Sequence, residues 1–132
     1  VDFVKNLALK NNVLITTGII DFDLIQNLKI KFFQKKTDNI YLKNYSNTSV
    51  YFIYMPTFND IESLLRNAKI LITCHGAVTH AANSFNVKIV DIIEENRKVF
   101  YQHYTSYLKK YNPIYRAKFD ILKDDLLDII RE

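Results

Sequence analysis

Glycine is scarce in this chain: its 132 residues include only two, Gly18 and Gly76. Average usage of about 7% would give roughly nine. The scarcity excludes the GxGxxG dinucleotide fingerprint, the Walker phosphate-binding loop, collagen-like repeats and Gly-rich linkers, because each of them needs several glycines. Both glycines come just after an apolar run that is typical of a buried strand, and we return to these two positions below.

Cysteine and long apolar runs are also scarce. The single cysteine, Cys74, excludes an intramolecular disulfide and a cysteine cluster for structural zinc, and it fits a reducing compartment. No apolar run approaches the roughly 20 residues that a membrane helix needs, and there is no signal-peptide pattern. We therefore expect a cytoplasmic protein, with at most peripheral contact with the inner face of a membrane.

The composition is otherwise that of a folded domain, with 48% apolar and 24% charged residues and a net charge of +4. The mild excess of lysine suits phosphates, anionic lipids or nucleic acids without selecting one of them, and we expect no nucleic-acid partner. The length suits one domain over residues 1–132. Because the chain opens on Val1 inside a predicted helix, we expect it to be part of a longer protein.

Short apolar runs alternate with helical patterns along the chain. Strands are predicted at residues 13–17, 50–54, 69–73 and 87–91, with weaker ones at 40–42 and 114–119. Helices are predicted between them, the second one capped by Asp21 or Asp23 and with Leu24, Ile25, Leu28 and Phe32 inside. This alternation predicts an α/β fold: a three-layer Rossmann-like sandwich with a mostly parallel sheet.

The longest predicted helix covers residues 97–111. It carries an aromatic stripe at helical spacing, made of Phe100, Tyr104, Tyr107 and Tyr111. Such a stripe beside basic residues can stack nucleobases or touch a membrane surface. The helical spacing favours packing against the sheet instead.

The most informative segment is a strand that ends at Cys74-His75-Gly76, followed directly by a small-residue helix. Ligands of parallel sheets bind at the carboxyl ends of the strands. The first turn of a helix offers free N–H groups to an anion, and a glycine lets the anion approach the backbone closely. With donors from His75, Thr79 and His80, the segment predicts a phosphate or diphosphate site. The alternative is that Gly76 only makes the turn and that the histidines are ordinary surface groups.

A second strand end is expected at Asp91 and the loop at residues 92–96. There Glu94 and Glu95 suit a ribose hydroxyl, as carboxylates at strand ends do in nucleotide-binding folds, or they form a solvated pair. A metal site built from Cys74 and the histidines matches no common zinc spacing, so we expect no metal. A role for Cys74 as a nucleophile stays open beside the commoner one of a small semi-buried residue.

The same segment resembles the C-terminal, nucleotide-sugar-binding domain of GT-B glycosyltransferases, above all the heptosyltransferase-like family. Residues 59–70 resemble the helix before that family's key strand, residues 74–76 stand in place of its D-S/T-G, and residues 80–82 in place of its H-x-A. The opening at residues 3–18 and the closing segment at 120–130 also resemble that domain. The likeness therefore covers most of the chain as a pattern.

Some positions depart from that pattern. Cys74 replaces the motif's Asp, Gly76 and His80 are one residue further apart, and the proline expected near Lys88 is absent. The triplet at residues 75–77 also resembles a second glycosyltransferase group with an HGAGLTN-like motif. Both groups place this turn against the diphosphate of the sugar donor.

The resemblance implies a glycosyltransferase donor-binding domain, the C-terminal half of a two-domain enzyme. It would bind a nucleotide sugar for transfer to a glycan or lipid-linked acceptor, without a metal or other cofactor. The absent N-terminal domain would supply the acceptor site and the base, so the catalytic residue stays unknown and this piece alone is not expected to be catalytic. The residues implied at the nucleotide and diphosphate are Thr17, Gly18, His75, Gly76, Thr79 and His80, with Glu94 as a ribose contact. The alternative function is a non-catalytic, flavodoxin-like binding or regulatory module.

Overall fold

The computed structural model describes residues 2–18 and 22–131 and shows an α/β protein. The chain divides into two compact units, Val1–Thr57 and Phe58–Glu132, and the described strands form a separate sheet in each unit. We describe each unit by itself, and the expectation of one domain over residues 1–132 stays a prediction. None of the helices in the described ranges combines the length and the apolar character needed to cross a bilayer.

The first unit has a mixed sheet. Its elements are α1 (Asp2–Ala8), β1 (Val13–Thr16), α2 (Asp23–Phe32), β2 (Gln34–Lys35), β3 (Ile40–Asn44) and β4 (Ser49–Ile53). The strand order is β1-β4-β3-β2; β1 and β4 are parallel, whereas β3 pairs antiparallel with both β4 and β2. The sequence predicts a mostly parallel sheet, and this hairpin region departs from it, because the short loops at residues 36–39 and 45–48 permit only antiparallel pairing.

The burial of side chains in the first unit differs from the expected pattern in two elements, β1 and α2. The run at residues 13–17 was predicted to be covered on both faces, but Leu14 in β1 is 47% exposed. In α2, Leu24 is 71% exposed, and Lys29 is buried in the interior instead. The Lys29 ammonium lies 3.9 Å from the centre of the Tyr54 ring and 5.1 Å from that of Tyr41. The aliphatic stem of a lysine packs like an apolar residue, which the sequence pattern does not show. Asp21, the alternative cap of α2, lies outside the described residues.

The second unit has a parallel sheet. Its elements are α3 (Phe58–Leu65), β5 (Ile70–Cys74), α4 (Ala77–Asn83), β6 (Lys88–Ile93), a 3-10 turn (Glu95–Arg97), α5 (Lys98–Thr105), β7 (Tyr111–Tyr115) and α6 (Phe119–Arg131). The strand order is β5-β6-β7, so β6 is the central strand, and both strand pairs are parallel. The carboxyl ends of all three strands therefore meet at one edge of this sheet.

The core of the second unit lies between this sheet and the two helices α3 and α4. Buried Leu65, Ala82, Val87 and Ile89 form it. Ile61 of α3 and Ala68, which follows that helix, pack against this group. The cluster fixes α4 on the sheet and so fixes the turn that precedes it.

The predicted helix at residues 97–111 is wrong in its second half. Helix α5 ends at Thr105, and Tyr111 begins β7, where it pairs with Ile89. Lys110, with a φ of 48°, lies in the left-handed region just before the strand, where the chain changes direction. The other three aromatic residues of the stripe do not pack on the sheet, since Phe100, Tyr104 and Tyr107 are 56%, 48% and 60% exposed.

Candidate functional site

The turn after β5 has the predicted strand–turn–helix arrangement. β5 ends at Cys74, and α4 begins at Ala77, so that His75 and Gly76 connect them. The His75 side chain is 17% exposed and therefore keeps one edge at the surface while the rest is packed. The turn lies at the carboxyl edge of the parallel sheet, where ligands of such sheets bind.

A buried carboxylate holds His75 in place. Asp91 was expected at the end of its strand, but β6 continues to Ile93, so Asp91 lies inside the central strand and is 0% exposed. Its Oδ2 lies 2.7 Å from His75 Nδ1 and accepts a hydrogen bond of 2.9 Å from the Tyr111 hydroxyl. Its Oδ1 is buried and has no hydrogen-bond partner among the described residues. Since a buried carboxylate is costly unless it is paired, these two contacts stabilise Asp91 in the strand.

The contact with Asp91 decides which nitrogen of His75 is left for a ligand. A carboxylate only accepts hydrogen bonds, so we assign the proton of this contact to Nδ1 of His75. The nitrogen left for a ligand is then Nε2. The Tyr101 ring packs edge-on against the imidazole at 4.8 Å between centroids, and the His80 ring does so at 5.3 Å. The imidazole is thus held by one hydrogen bond and two ring contacts.

Tyr111 remains a hydrogen-bond donor under all ordinary conditions. Burial raises the pKa of its phenol well above the usual value, and the hydrogen bond to Asp91 and the negative charge of that carboxylate raise the pKa further. A protonated phenol donates to Asp91 without adding charge to the cluster. Tyr111 therefore adds a hydrogen-bond donor near His75 but no negative charge.

His80 is brought beside His75 by α4. Its Nδ1 lies 2.6 Å from the Tyr107 hydroxyl, and its ring stacks on that of Tyr107 with 6.0 Å between centroids. The two histidines predicted from the sequence as phosphate contacts are therefore neighbours. Helix α5 and the residues after it supply an aromatic wall on this side, which consists of Tyr101 and Tyr107.

Gly76 and Thr79 close the turn on each other. The Gly76 N–H donates to the Thr79 hydroxyl at 3.2 Å, and the Thr79 N–H donates to the Gly76 carbonyl at 3.0 Å. Because Thr79 is fully buried, we assign its side chain to the turn and not to direct contact with a ligand. Gly76 has an extended φ of 173°, and an added Cβ would meet only the Cys74 carbonyl, at 3.9 Å. The fold itself therefore tolerates a side chain at Gly76.

Several charged side chains lie together where the three strands end. Glu94 directly follows β6, and its carboxylate lies 3.2 Å from Arg97 and 4.0 Å from Arg116, which follows β7. Arg116 also lies 4.0 Å from the sulfur of Cys74 at the end of β5. The Arg116 side chain is 60% exposed, so it offers a cation at this edge of the sheet. The Cys74 side chain thus contacts Arg116, whereas the side chain of the next residue, His75, contacts Asp91.

Thr17 and Gly18, the other predicted contacts, follow β1 in the first unit. The Thr17 hydroxyl accepts a hydrogen bond of 2.8 Å from the Met55 N–H. A Cβ added at Gly18 would meet nothing within 4 Å. The candidate site consists of residues of the second unit, and the expected roles of Thr17 and Gly18 at the nucleotide stay predictions.

Three residues of the site were not proposed from the sequence: Asp91 as a partner of His75, Tyr111 and Arg116. A signal for Asp91 was present, since it is a charged residue within the apolar run at residues 89–93. The contact of Tyr111 was hidden by its assignment to a helix. Arg116 had no signal beyond its place after a short extended stretch.

The site has no arrangement typical of a metal centre. Within the described ranges, no three side chains of His, Cys, Asp or Glu are grouped so that they could hold a metal ion. His103 is exposed and packs edge-on against Tyr104, 5.0 Å between ring centroids.

Comparison of the chain with family models, with curated proteins and with solved structures gave no match.

Proposed function

We propose that this chain binds the diphosphate of a nucleotide sugar at the turn after β5, as the donor-binding part of a GT-B-type glycosyltransferase. The observation that carries the proposal is the oriented His75, which is held by buried Asp91 at the carboxyl edge of a parallel sheet and has His80 beside it. The second unit would then be a Rossmann-like half of a three-layer domain. The acceptor would be a glycan or a lipid-linked sugar at the cytoplasmic face of a membrane.

The charges at this edge support a diphosphate ligand. His75 and His80 offer imidazole nitrogens, and Arg116 offers a guanidinium, whose planar donors suit phosphate oxygens. Gly76 has no side chain that would keep an anion from the backbone of the turn. Glu94, which follows the central strand, would accept a hydrogen bond from a ribose hydroxyl.

These residues also suggest how the bound donor would react. When a glycosyl group leaves a diphosphate, negative charge develops on the oxygen that it leaves. Fixed donors and cations aimed at that oxygen stabilise the transition state more than the ground state. His75, His80 and Arg116 would have this role without a metal ion, and the resemblance to GT-B enzymes assigns the acceptor site and the base to another domain.

The test is a calorimetric titration of the chain with a panel of nucleoside diphosphates and nucleotide sugars. We expect one nucleotide to bind, and we expect Gly76→Ala and His80→Ala each to weaken that binding by about tenfold, which corresponds to one lost polar contact of about 1.4 kcal/mol. His103→Ala, an exposed histidine outside the cluster, is the matched control and should bind as the unaltered chain does.

Three outcomes would contradict parts of the proposal. No binding by any nucleotide contradicts the donor site. Binding that is insensitive to both the Gly76 and the His80 substitutions places the ligand elsewhere. Binding of a nucleotide by the chain, with no sugar transfer by the complete protein that contains it, favours the non-catalytic binding module.

A further inference from the structure

We infer that His75 meets its phosphate ligand as the imidazolium, with Asp91 as its buried counter-ion and the Nε2 proton as the donor to the ligand. The inference rests on the proposed function, which it deepens: it names the charge state of the site and requires an anionic ligand group. It assigns Asp91 as a positioning residue, since Asp91 would act on the ligand only through His75.

The first argument is the charge balance around Asp91. The carboxylate is 0% exposed, and within the described ranges its ion pair is with His75, while no lysine or arginine is paired with it. A buried carboxylate without a cation is strongly unfavourable. Protonation of His75 supplies the missing positive charge at 2.7 Å without any movement of the chain.

The second argument is the direction of the two ring nitrogens. With Nδ1 donating to Asp91, a neutral imidazole presents the lone pair of Nε2, which repels a phosphate oxygen. The imidazolium presents an N–H at the same place and makes a charge-assisted hydrogen bond. A phosphate group therefore selects the protonated form, in which one proton from solvent is added to Nε2 and no covalent bond of the ligand changes.

The other groups around His75 do not replace this charge. Tyr111 on β7 reaches Asp91 and stays protonated, and Tyr101 on α5 touches the imidazole with its ring. His80 on α4 has its Nδ1 tied to the hydroxyl of Tyr107. Among the described residues that face the imidazole, Asp91 is thus the one that places a negative charge next to His75.

The test is nitrogen-15 NMR of the chain carrying labelled histidine, at pH 8, with and without inorganic pyrophosphate as the probe. An isolated imidazole is mostly neutral at this pH. The His75 signals are assigned from their loss in His75→Gln. We expect Nδ1 of His75 to carry a proton in both samples, and Nε2 to carry one when pyrophosphate is bound. An unprotonated Nε2 in the complex, or an unprotonated Nδ1 in the free protein, overturns the inference.

Two substitutions test the charge itself by pyrophosphate affinity. Asp91→Asn keeps the shape of the side chain and removes the counter-charge. His75→Gln keeps a hydrogen-bond donor and removes the imidazolium, and it serves if the first variant does not fold. Each should weaken pyrophosphate binding by about tenfold or more, as expected for a lost charge-assisted contact, while His103→Gln should leave it unchanged. Unaltered affinity in either folded variant overturns the inference.

The outcomes separate this inference from the proposed function. If pyrophosphate and all nucleotides fail to bind the unaltered chain, both fail together. If they bind and His75 is neutral in the complex, the donor site stands and only the inference about its charge state is overturned.

Discussion

Each of the two units has one charged side chain among its buried described residues, and they hold it in different ways. In the first unit, the Lys29 ammonium lies over the rings of Tyr54 and Tyr41. In the second, the Asp91 carboxylate accepts a hydrogen bond from Tyr111 and contacts His75. Aromatic faces attract a cation without fixing its direction, whereas hydrogen bonds to a carboxylate fix the partner's orientation.

The comparison teaches which buried charge points to a function. The stem of Lys29 fills space in the interior, and its charge is accommodated by neighbouring rings. Asp91 instead orients a partly exposed histidine at an edge where parallel strands end. The first arrangement suits stability alone, and the second suits the presentation of a proton donor to a ligand.

Removal of the histidine should destabilise the second unit most. His75→Ala leaves Asp91 buried with the Tyr111 hydroxyl as its remaining partner, and breaking such a pair costs about 3 kcal/mol. Urea denaturation of the variant and of the unaltered chain measures the difference in the free energy of unfolding. A loss below about 1 kcal/mol, the size of an ordinary hydrogen bond, would mean that Asp91 does not depend on His75.

The two glycines should differ in binding and agree in stability. Neither has a φ in the left-handed region or a neighbour that an added Cβ would strike, so Gly18→Ala and Gly76→Ala should each stabilise the fold by about 0.4–1 kcal/mol. Only Gly76→Ala is expected to weaken nucleotide binding, by about tenfold, as the proposed close approach of a phosphate requires. Thermal melts and titrations of both variants check this. Equal weakening by Gly18→Ala would bring the first unit into the same site.

Tyr111 should make stability depend on pH in the alkaline range. The unfolded phenol loses its proton near pH 10, whereas the raised pKa of folded Tyr111 keeps the proton on. The native state then binds more protons, so the free energy of unfolding falls as the pH rises above about 10. Tyr111→Phe lacks this contribution and costs about 1 kcal/mol at neutral pH. Its deficit should shrink when denaturation is repeated at pH 9, 10 and 11. A deficit that stays constant would contradict the assigned role of the hydroxyl.

Lys29 should matter least. Lys29→Met keeps an unbranched apolar stem and removes the ammonium over the Tyr54 ring, and replacing a buried charge by a packed apolar group is often close to neutral. We expect a change in the free energy of unfolding within about 0.5 kcal/mol, measured by the same urea titrations. A loss as large as that of His75→Ala would abolish the contrast between the two units.

Local patterns in the sequence predicted much of the second unit. The apolar run of β5 and the turn at residues 74–76 depend on neighbouring residues, and both are present in the structure. Histidines 75 and 80 were proposed as neighbours of one ligand, and the structure places their rings 5.3 Å apart. These features need no knowledge of distant parts of the chain.

What the sequence missed depends on pairing between distant residues. The contacts of Asp91 follow from the register of β6 with β7, which joins residues about twenty apart. The strand at β7 was hidden because tyrosines suit a helical stripe as well as a strand. Pro113 lies within β7, and an edge strand tolerates proline.

The hydrogen bond between Tyr111 and Asp91 has a consequence for the order in which the protein is made. Asp91 needs a donor from β7, the last strand among the described residues, to hold it inside the sheet. A ribosome has therefore to release the chain past residue 111 before the histidine at residue 75 is fully positioned. A growing chain that ends before β7 contains the whole turn of the proposed site and lacks one of the two contacts that hold Asp91.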